Sequence, residues 1–341
     1  MNVSFPGLGI ELEIDRVAFS VGGFSIYWYA IIIMTGLVLA VLYAFKRSDF
    51  FGIKKDPMFD VILVGFVCSI ICARLYYVIF SERRYDNLWD IINLRDGGIA
   101  IYGAVIGAFG SGALASRWRK IRIMAMFDTA AIAFLIGQGV GRWGNFMNQE
   151  AFGCGTDLPW GMISENTMKV VPDSPVHPCF LYESLWCFAG LAILHFLSKK
   201  CYKFYGQYFL LYLLWYGLGR VWIEGLRTDS LWLVPDVIRV SQLVALLSLG
   251  TIPLLVLGFK GKLFAQRLTD ENGNAVNAML PGYEEKPAEE KKPGAAAAIV
   301  AAASAALTSV IAKIKGKETD SGEENSSETA ENNDNESNQE D

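Results

Sequence analysis

The chain has 341 residues, of which 52% are hydrophobic and 19% charged, and a formal net charge of −5. At roughly 150 residues per domain that length would suit two soluble domains. Apolar runs long enough to cross about 30 Å of hydrocarbon recur through the first three-quarters, however, and exclude an ordinary soluble fold. The negative charge belongs to the far end, where acidic residues crowd positions 318–341 and leave the rest of the chain with a slight positive excess.

The N-terminus carries Glu11, Glu13 and Asp15 and no basic region, so no cleavable signal peptide is expected. Seven membrane helices are expected near 24–45, 58–80, 97–116, 124–141, 179–197, 206–224 and 238–258. The expected fold class is therefore an all-α integral membrane protein, with a polytopic membrane domain over residues 1–264. Basic clusters follow every second helix. They are Lys46, Arg47, Lys54 and Lys55; then Arg117, Arg119, Lys120 and Arg122; then Lys199, Lys200 and Lys203; and finally Lys260, Lys262 and Arg267. The positive-inside rule puts these loops in the cytoplasm, the N-terminus outside and the C-terminus inside. Gly103-x-x-x-Gly107 and Gly137-x-x-x-Gly141 set small residues on one helix face, which allows close helix packing.

Residues 265–341 read as a cytoplasmic low-complexity tail. An Ala-rich stretch near 294–314 suits a cytoplasmic or interfacial helix better than a spanning one. The acidic end lacks the apolar content to offset chain entropy and is expected to be disordered. Six cysteines at irregular spacing form no metal or redox pattern. Cys154 and Cys179 are near enough along the chain to share one loop, and whether they pair is left open.

Polar side chains gather at the external helix ends. Tyr29 begins the first helix, Arg74 lies near the end of the second, and Tyr102 opens the third. The fourth ends in Arg142, Asn145 and Glu150. His177, Tyr182 and Glu183 begin the fifth, and Arg220, Glu224 and Arg227 close the sixth. Singly, each has a plain structural explanation: aromatic residues anchor at interfaces, Arg74 can snorkel, and Arg220 and Glu224 are spaced for an intrahelical pair. Together, arginines and carboxylates converging on one leaflet suit an anionic headgroup, because guanidinium grips phosphate through paired hydrogen bonds. A charge near the bilayer centre costs about 2.5–3.5 kcal/mol, so such groups usually line a cavity or meet a ligand. Neither a metal-ligand spacing nor a Gly-x-Ser-x-Gly elbow occurs. On the residues alone, a transporter of an anionic lipid or a phospholipid hydrolase fits as well as a transferase.

The segment Gly141-Arg142-x-Gly144-Asn145-Phe146-x-Asn148-x-Glu150-x-x-Gly153 resembles the signature of bacterial prolipoprotein diacylglyceryl transferases. So do Gly97-Gly98-Ile99-Ala100-Ile101-Tyr102-Gly103, His177-Pro178-x-x-Leu181-Tyr182-Glu183, Arg220-x-x-x-Glu224-x-x-Arg227 and Arg239-Val240-Ser241-Gln242. These blocks follow the family's order over roughly residues 20–260.

The resemblance implies a multi-pass enzyme of the bacterial plasma membrane. Its reaction moves the diacylglyceryl group of phosphatidylglycerol onto the lipobox cysteine of a prolipoprotein signal peptide, releasing glycerol phosphate. No cofactor and no nucleic-acid partner are implied. Carried over by position, Arg142 binds the headgroup and Arg220 faces the leaving phosphate. Asn145 and Glu150 position the headgroup or Arg142, and Gly153 lets the loop turn close to the lipid. Glu224 and Arg227 support Arg220, while Tyr29, His177, Tyr182 and Glu183 complete the substrate-binding set.

One position departs from the pattern. Some members carry histidine where this chain has Tyr102, and that histidine has been cast as the general base. A tyrosine titrates near pH ~10 and is a poor base at neutrality. Either Tyr102 orients a substrate only, or the base lies elsewhere, with Glu150 and a phosphate oxygen as alternatives.

Overall fold

A computed structural model of the chain describes residues 2–21, 24–81, 85, 87–93, 97–172, 174–228, 232–234, 238–239 and 247–283. The Ala-rich helix expected near 294–314 and the acidic end lie outside the described residues. The compact unit that carries the site spans Met1–Tyr283 and so continues past residue 264.

The helices, in chain order, are α1 (Trp28–Phe51), α2 (Lys55–Phe80), α3 (Leu88–Ile92), α4 (Ile101–Trp118), α5 (Ile123–Asn148), α6 (Glu165–Val170), α7 (Cys179–Lys200), α8 (Gln207–Leu226) and α9 (Thr251–Phe259). Four of them, α1, α2, α5 and α7, are long and apolar enough to cross a membrane. Many of the large apolar side chains of α1 and α2, among them Ile33, Met34, Val38, Leu63, Val67 and Ile71, are exposed and form a belt that hydrocarbon would solvate. α4 and α8 form where spans are expected. With 18 and 20 residues they are about 27 and 30 Å long, but glycines in α4 and Gln207, Arg220 and Glu224 in α8 dilute their apolar content. The seventh expected span lies partly outside the described residues, and α9 is its described helical part.

The long helices alternate in direction, with α5 packed against α1, α7 and α8, and α2 against α4. The last pair is close because of glycine. A Cβ on Gly103 would lie 2.4 Å from the Cys72 carbonyl oxygen, and one on Gly107 would lie 2.6 Å from Cys72 Cβ. The expected small-residue face of α4 is thus the face that meets α2.

The all-α expectation needs correction at one end of the bundle. Two strand pairs precede α1, β1 (Asn2–Phe5) with β2 (Ile10–Glu13) and β3 (Val17–Val21) with β4 (Phe24–Tyr27), and β5 (Ile163–Ser164) adds to the free edge of β1. β1 and β2 pair antiparallel from Asn2↔Glu13 to Phe5↔Ile10, and Val3 pairs with Ser164 on its other side. A further hairpin joins β6 (Trp232–Val234) to β7 (Ile238–Arg239). Strands of two to five residues carry too little alternation to stand out against neighbouring apolar helices. Residues 24–27, expected as helix, are therefore strand. Residues 97–100 precede α4 without being helical, because Gly97 and Gly98 adopt φ of 75° and 81°.

The opposite end is held by a buried acid. Asp128 near the start of α5 accepts hydrogen bonds from the backbone N–H groups of Gly206, Tyr208 and Phe209 at 2.7, 2.7 and 2.8 Å, and from the Tyr202 hydroxyl at 2.6 Å. It serves as the N-terminal cap that α8 lacks locally. Residues 265–283 lace the loops of this end together: Arg267 Nη2 donates to the carbonyls of Phe50 and Gly273 at 3.0 and 2.6 Å, Ile121 bridges to Met279, and Ala278 is fully buried. The basic clusters that follow alternate helices all fall at this end. The structure joins none of the six cysteines in a disulfide; Cys154 is exposed and Cys179 buried.

Candidate active site

The site forms at the hairpin-bearing end, where α5 and α8 finish and α7 begins. Arg142 comes from the last two turns of α5, Glu183 from the second turn of α7, and Arg220 and Glu224 from the last two turns of α8; Arg227 is the residue after it. Glu183 is the hub. Its Oε2 is 2.5 Å from Arg142 and 3.5 Å from Arg220, and its Oε1 is 3.3 Å from Arg227. Arg220 also pairs with Glu224 at 2.5 Å, one turn along α8. Both glutamate side chains are nearly sealed, while the three arginine side chains keep between 13% and 22% of their surface exposed. Among the described residues, three guanidinium groups face two carboxylates within this cluster, and Glu150 lies close by. That arrangement can receive an anion without an uncompensated buried carboxylate.

Glu150 sits beside this cluster with different partners. It accepts from Asn145 Nδ2 at 2.8 Å and Asn148 Nδ2 at 3.4 Å. Asn145 and Glu150 are expected to position the headgroup or Arg142; the structure pairs them with each other and pairs Arg142 with Glu183. The turn carrying Glu150 is strained, since Gln149 and Ala151 have φ of 53° and 58°, a region that non-glycine residues seldom enter. It is braced by the hairpin end. Arg16 Nη2 donates to the Asn148 carbonyl at 2.8 Å, and the Asn166 backbone N–H donates to Gln149 Oε1 at 3.3 Å. Gly153 then threads between two backbones. Its N–H donates to the His177 carbonyl at 2.9 Å, and it bridges to Arg227. A Cβ there would lie 2.8 Å from His177 Cβ and 3.0 Å from the Leu226 oxygen, so only glycine fits without displacement.

The other expected residues divide into groups. Tyr29 packs its ring on Gly144, whose Cβ would be 2.9 Å from Tyr29 Cδ2, within electrostatic range of Glu150 and Arg142. Tyr102 is 41% exposed, stands beside Tyr76, and lies within range of Arg220 and Glu224, at the rim of the cluster. His177 and Tyr182 do not join the ion pairs. His177 Nδ1 is 3.2 Å from the Tyr182 hydroxyl, which also accepts from Trp160 at 2.8 Å; burial holds the His177 imidazole below its usual pKa. Arg74 likewise stands apart. Its guanidinium is spent on the carbonyls of Ile91, Asp90 and Gly97 at 2.7 Å and Gly98 at 2.9 Å, which fixes the segment leading into Tyr102.

A cavity of about 530 Å³ opens beneath the cluster between α1, α2, α4 and α5. Tyr29, Arg142 and Asn145 stand at its head, and mostly apolar side chains, from Ile33 and Phe134 to Ala44, Val61 and Met126, line the rest. From Arg142 to Met126 along α5 is about 24 Å at 1.5 Å per residue. That is deeper than one leaflet, roughly half of the ~30 Å core. Arg142 belongs to both the cluster and the cavity. The hub role of Glu183 and the bracing by Arg16 and Asn166 carried no signal in the sequence beyond residue type.

A bundle of long apolar helices with arginines and carboxylates gathered at one end defines a membrane protein with a charged site at its helix ends. A family profile described as prolipoprotein diacylglyceryl transferase matches residues 16–257. A phosphatidylglycerol–prolipoprotein diacylglyceryl transferase of Clostridioides difficile (strain 630) is 40% identical over 251 residues, covering 73% of this chain and 97% of the relative. Enzymes of the same description from Bacillus anthracis and Bacillus cereus (strain Q1) are each 43% identical over 248 residues, 70% of this chain and 90% of theirs. The chain belongs to the prolipoprotein diacylglyceryl transferase family. It is a transferase of lipoprotein maturation that moves the diacylglyceryl group.

Proposed function

We propose that the Arg142–Glu183–Arg220 cluster binds the headgroup of phosphatidylglycerol, with its acyl chains in the cavity, and presents the glyceryl carbon to the lipobox cysteine of a prolipoprotein. One observation carries the reading: an arginine-bearing cluster caps a largely apolar cavity deep enough for a lipid tail, and Arg142 is shared by both. The thiolate sulfur attacks the glyceryl carbon next to the phosphate ester, and a C–S bond forms as the C–O bond breaks. Glycerol phosphate departs with the electron pair, and the thiol proton leaves to a base or to the phosphate. Charge builds on the phosphate oxygens as the bond breaks, so Arg142 and Arg220 lower the barrier by stabilising that charge. Tyr102 at the rim orients a substrate, and Glu150, paired with Asn145 on its braced turn, is a candidate for the base.

The basic clusters at the end opposite the site support a membrane orientation with the N-terminus and site outside and residues 260–283 in the cytoplasm. Seven spans in the bacterial plasma membrane fit that orientation. The test is purified protein with phosphatidylglycerol and a lipobox peptide. A mass gain of one diacylglyceryl group on the peptide, absent when its cysteine is serine, is expected. Diacylglycerol release without peptide modification would instead indicate a hydrolase, and no turnover would sink the reading.

A further inference from the structure

α1 packs on α5 and α2 on α4, and the cavity is the slot between the two pairs. Small residues shape its α5 wall, where Ala130, Ala133, Gly137 and Gly141 follow one another up one face towards Arg142. Its flank meets hydrocarbon beside Phe66 and Ile101, both of which are exposed. Its lower end is closed. Ala44, Val61 and Met126 form the floor, each no more than 5% exposed. About one turn further from the cluster, Ser48, Met58 and Ile121 are fully buried and fill the bundle. The hydroxyls of this half are bonded within their own helices: Ser69 donates to the Phe66 carbonyl at 2.7 Å and Thr129 to the Ala125 carbonyl at 3.0 Å. Shape and dispersion are what the lower slot offers, which suits the end of an alkyl chain.

We infer that this floor gauges the acyl chain of the lipid donor and sets a preference for chains of about 16 carbons, an inference that rests on reading the cavity as the phosphatidylglycerol site. Arg142 marks the phosphate end of the slot and Met126 its floor, about 24 Å apart along α5. Both side chains lean towards the start of the helix, so their offsets from the backbone largely cancel. An extended chain advances about 1.2 Å per bond, a third of the ~3.6 Å that three backbone bonds span. The slot is thus about 20 bonds deep, and about five of them separate the phosphorus from the nearest ester carbonyl carbon, leaving room for about 15 more. A shorter chain leaves the floor unfilled and forfeits contacts there. A longer one meets Met126, backed by Met58 and Ile121, and has to buckle towards the flank. Ala130 stands about one turn above Met126 on the same wall, so the size of that side chain decides how far the chain descends.

The test measures kcat/KM for phosphatidylglycerols with two identical straight chains, from about 12 to about 20 carbons. Each is presented at one mole fraction in mixed micelles to full-length protein, with a lipobox peptide as acceptor. Wild-type protein should peak near about 16 carbons and lose about tenfold by about 20, the discrimination an apolar pocket gives against added methylenes. Ala130→Leu raises the floor by a turn, about 5.4 Å or about four bonds. Its activity on lipid of about 12 carbons should hold, while that on about 16 carbons falls about tenfold. A ratio between lipids is not moved by loss of folded protein. Equal wild-type values across the series, or a peak outside about 14–18 carbons, overturn the gauge and leave the phosphatidylglycerol reading in place, whether or not the variant can be recovered. A variant profile that matches wild type overturns the assignment of the floor. A wild-type protein that transfers none of these lipids overturns the lipid reading of the cavity, and this inference with it.

Discussion

Arg142 and Glu183 face each other across the α5–α7 junction with Nη2 and Oε2 2.5 Å apart, and that same carboxylate oxygen also reaches Arg220. Glu183 is thus the common counter-ion of arginines from two helices, and its burial means that it acts on the substrate through them. Replacing it with glutamine leaves three guanidinium groups repelling one another around a neutral amide. Glu183→Gln should lower stability on the order of 2 kcal/mol, less than for a fully sealed pair because the arginines are partly exposed. Diacylglyceryl transfer should fall at least tenfold; thermal unfolding in detergent and peptide mass gain read the two effects separately.

Arg142 is expected to act through the shape of its guanidinium as well as its charge. Arg142→Ala should reduce turnover by about 10²- to 10³-fold, the usual loss when one transition-state donor is removed. Arg142→Lys should recover only a small part, since a point charge cannot hold both Glu183 and a phosphate. Near-normal turnover by the alanine variant, with normal insertion, would remove Arg142 from the headgroup site.

Gly153 is set by the backbones on either side of it. Gly153→Ala forces a Cβ against His177, Cys179 and Leu226 at 2.8, 2.9 and 3.0 Å, and overpacking of this kind costs about 1–3 kcal/mol. Because the same contact ties the Glu150 turn to Arg227, turnover should fall more steeply than stability. Equal activity in the alanine variant would show that the loop has room.

The pH dependence of folding should carry a His177 component. Burial holds its pKa below the ordinary value, so as pH falls through about 6.5 the unfolded chain takes up a proton that the folded site resists. Stability is then present at neutral pH and declines on acidification. Melting temperatures measured between roughly pH 7.5 and 5 should drop less for His177→Gln than for wild type.

Truncation separates two parts of the C-terminal region. From the sequence, removal of everything after Lys262 is expected to leave catalysis largely intact. The structure shifts that boundary, since residues 265–283 include the buried Ala275 and Ala278 and the Arg267 bonds to Phe50 and Gly273. Ending the chain after Tyr283 should preserve activity. Ending it after Lys262 should cost on the order of 3 kcal/mol and lower the yield of inserted protein. Equal yields would show the segment to be dispensable.

Six helices were legible because apolar runs of membrane length announce themselves in one dimension. The strands of residues 2–27 were not, since four-residue segments bury too little to leave a pattern. Arg74 shows the limit for the site. From the sequence it reads as a snorkelling arginine among those at the external helix ends, yet four backbone carbonyls absorb it. Asp128 drew no reading from the sequence, and the structure uses it to cap α8.

The sequence by itself determined the membrane class, the family and the residue types that gather at the helix ends, because hydropathy and motif spacing are properties of the linear chain. Which arginine meets which carboxylate was decided only by the tertiary structure. Arg142, Glu183 and Arg227 come from α5, α7 and the end of α8, and no local rule relates them. Their pairing follows from the crossing of three helices, set in turn by the caps and close contacts at both ends of the bundle.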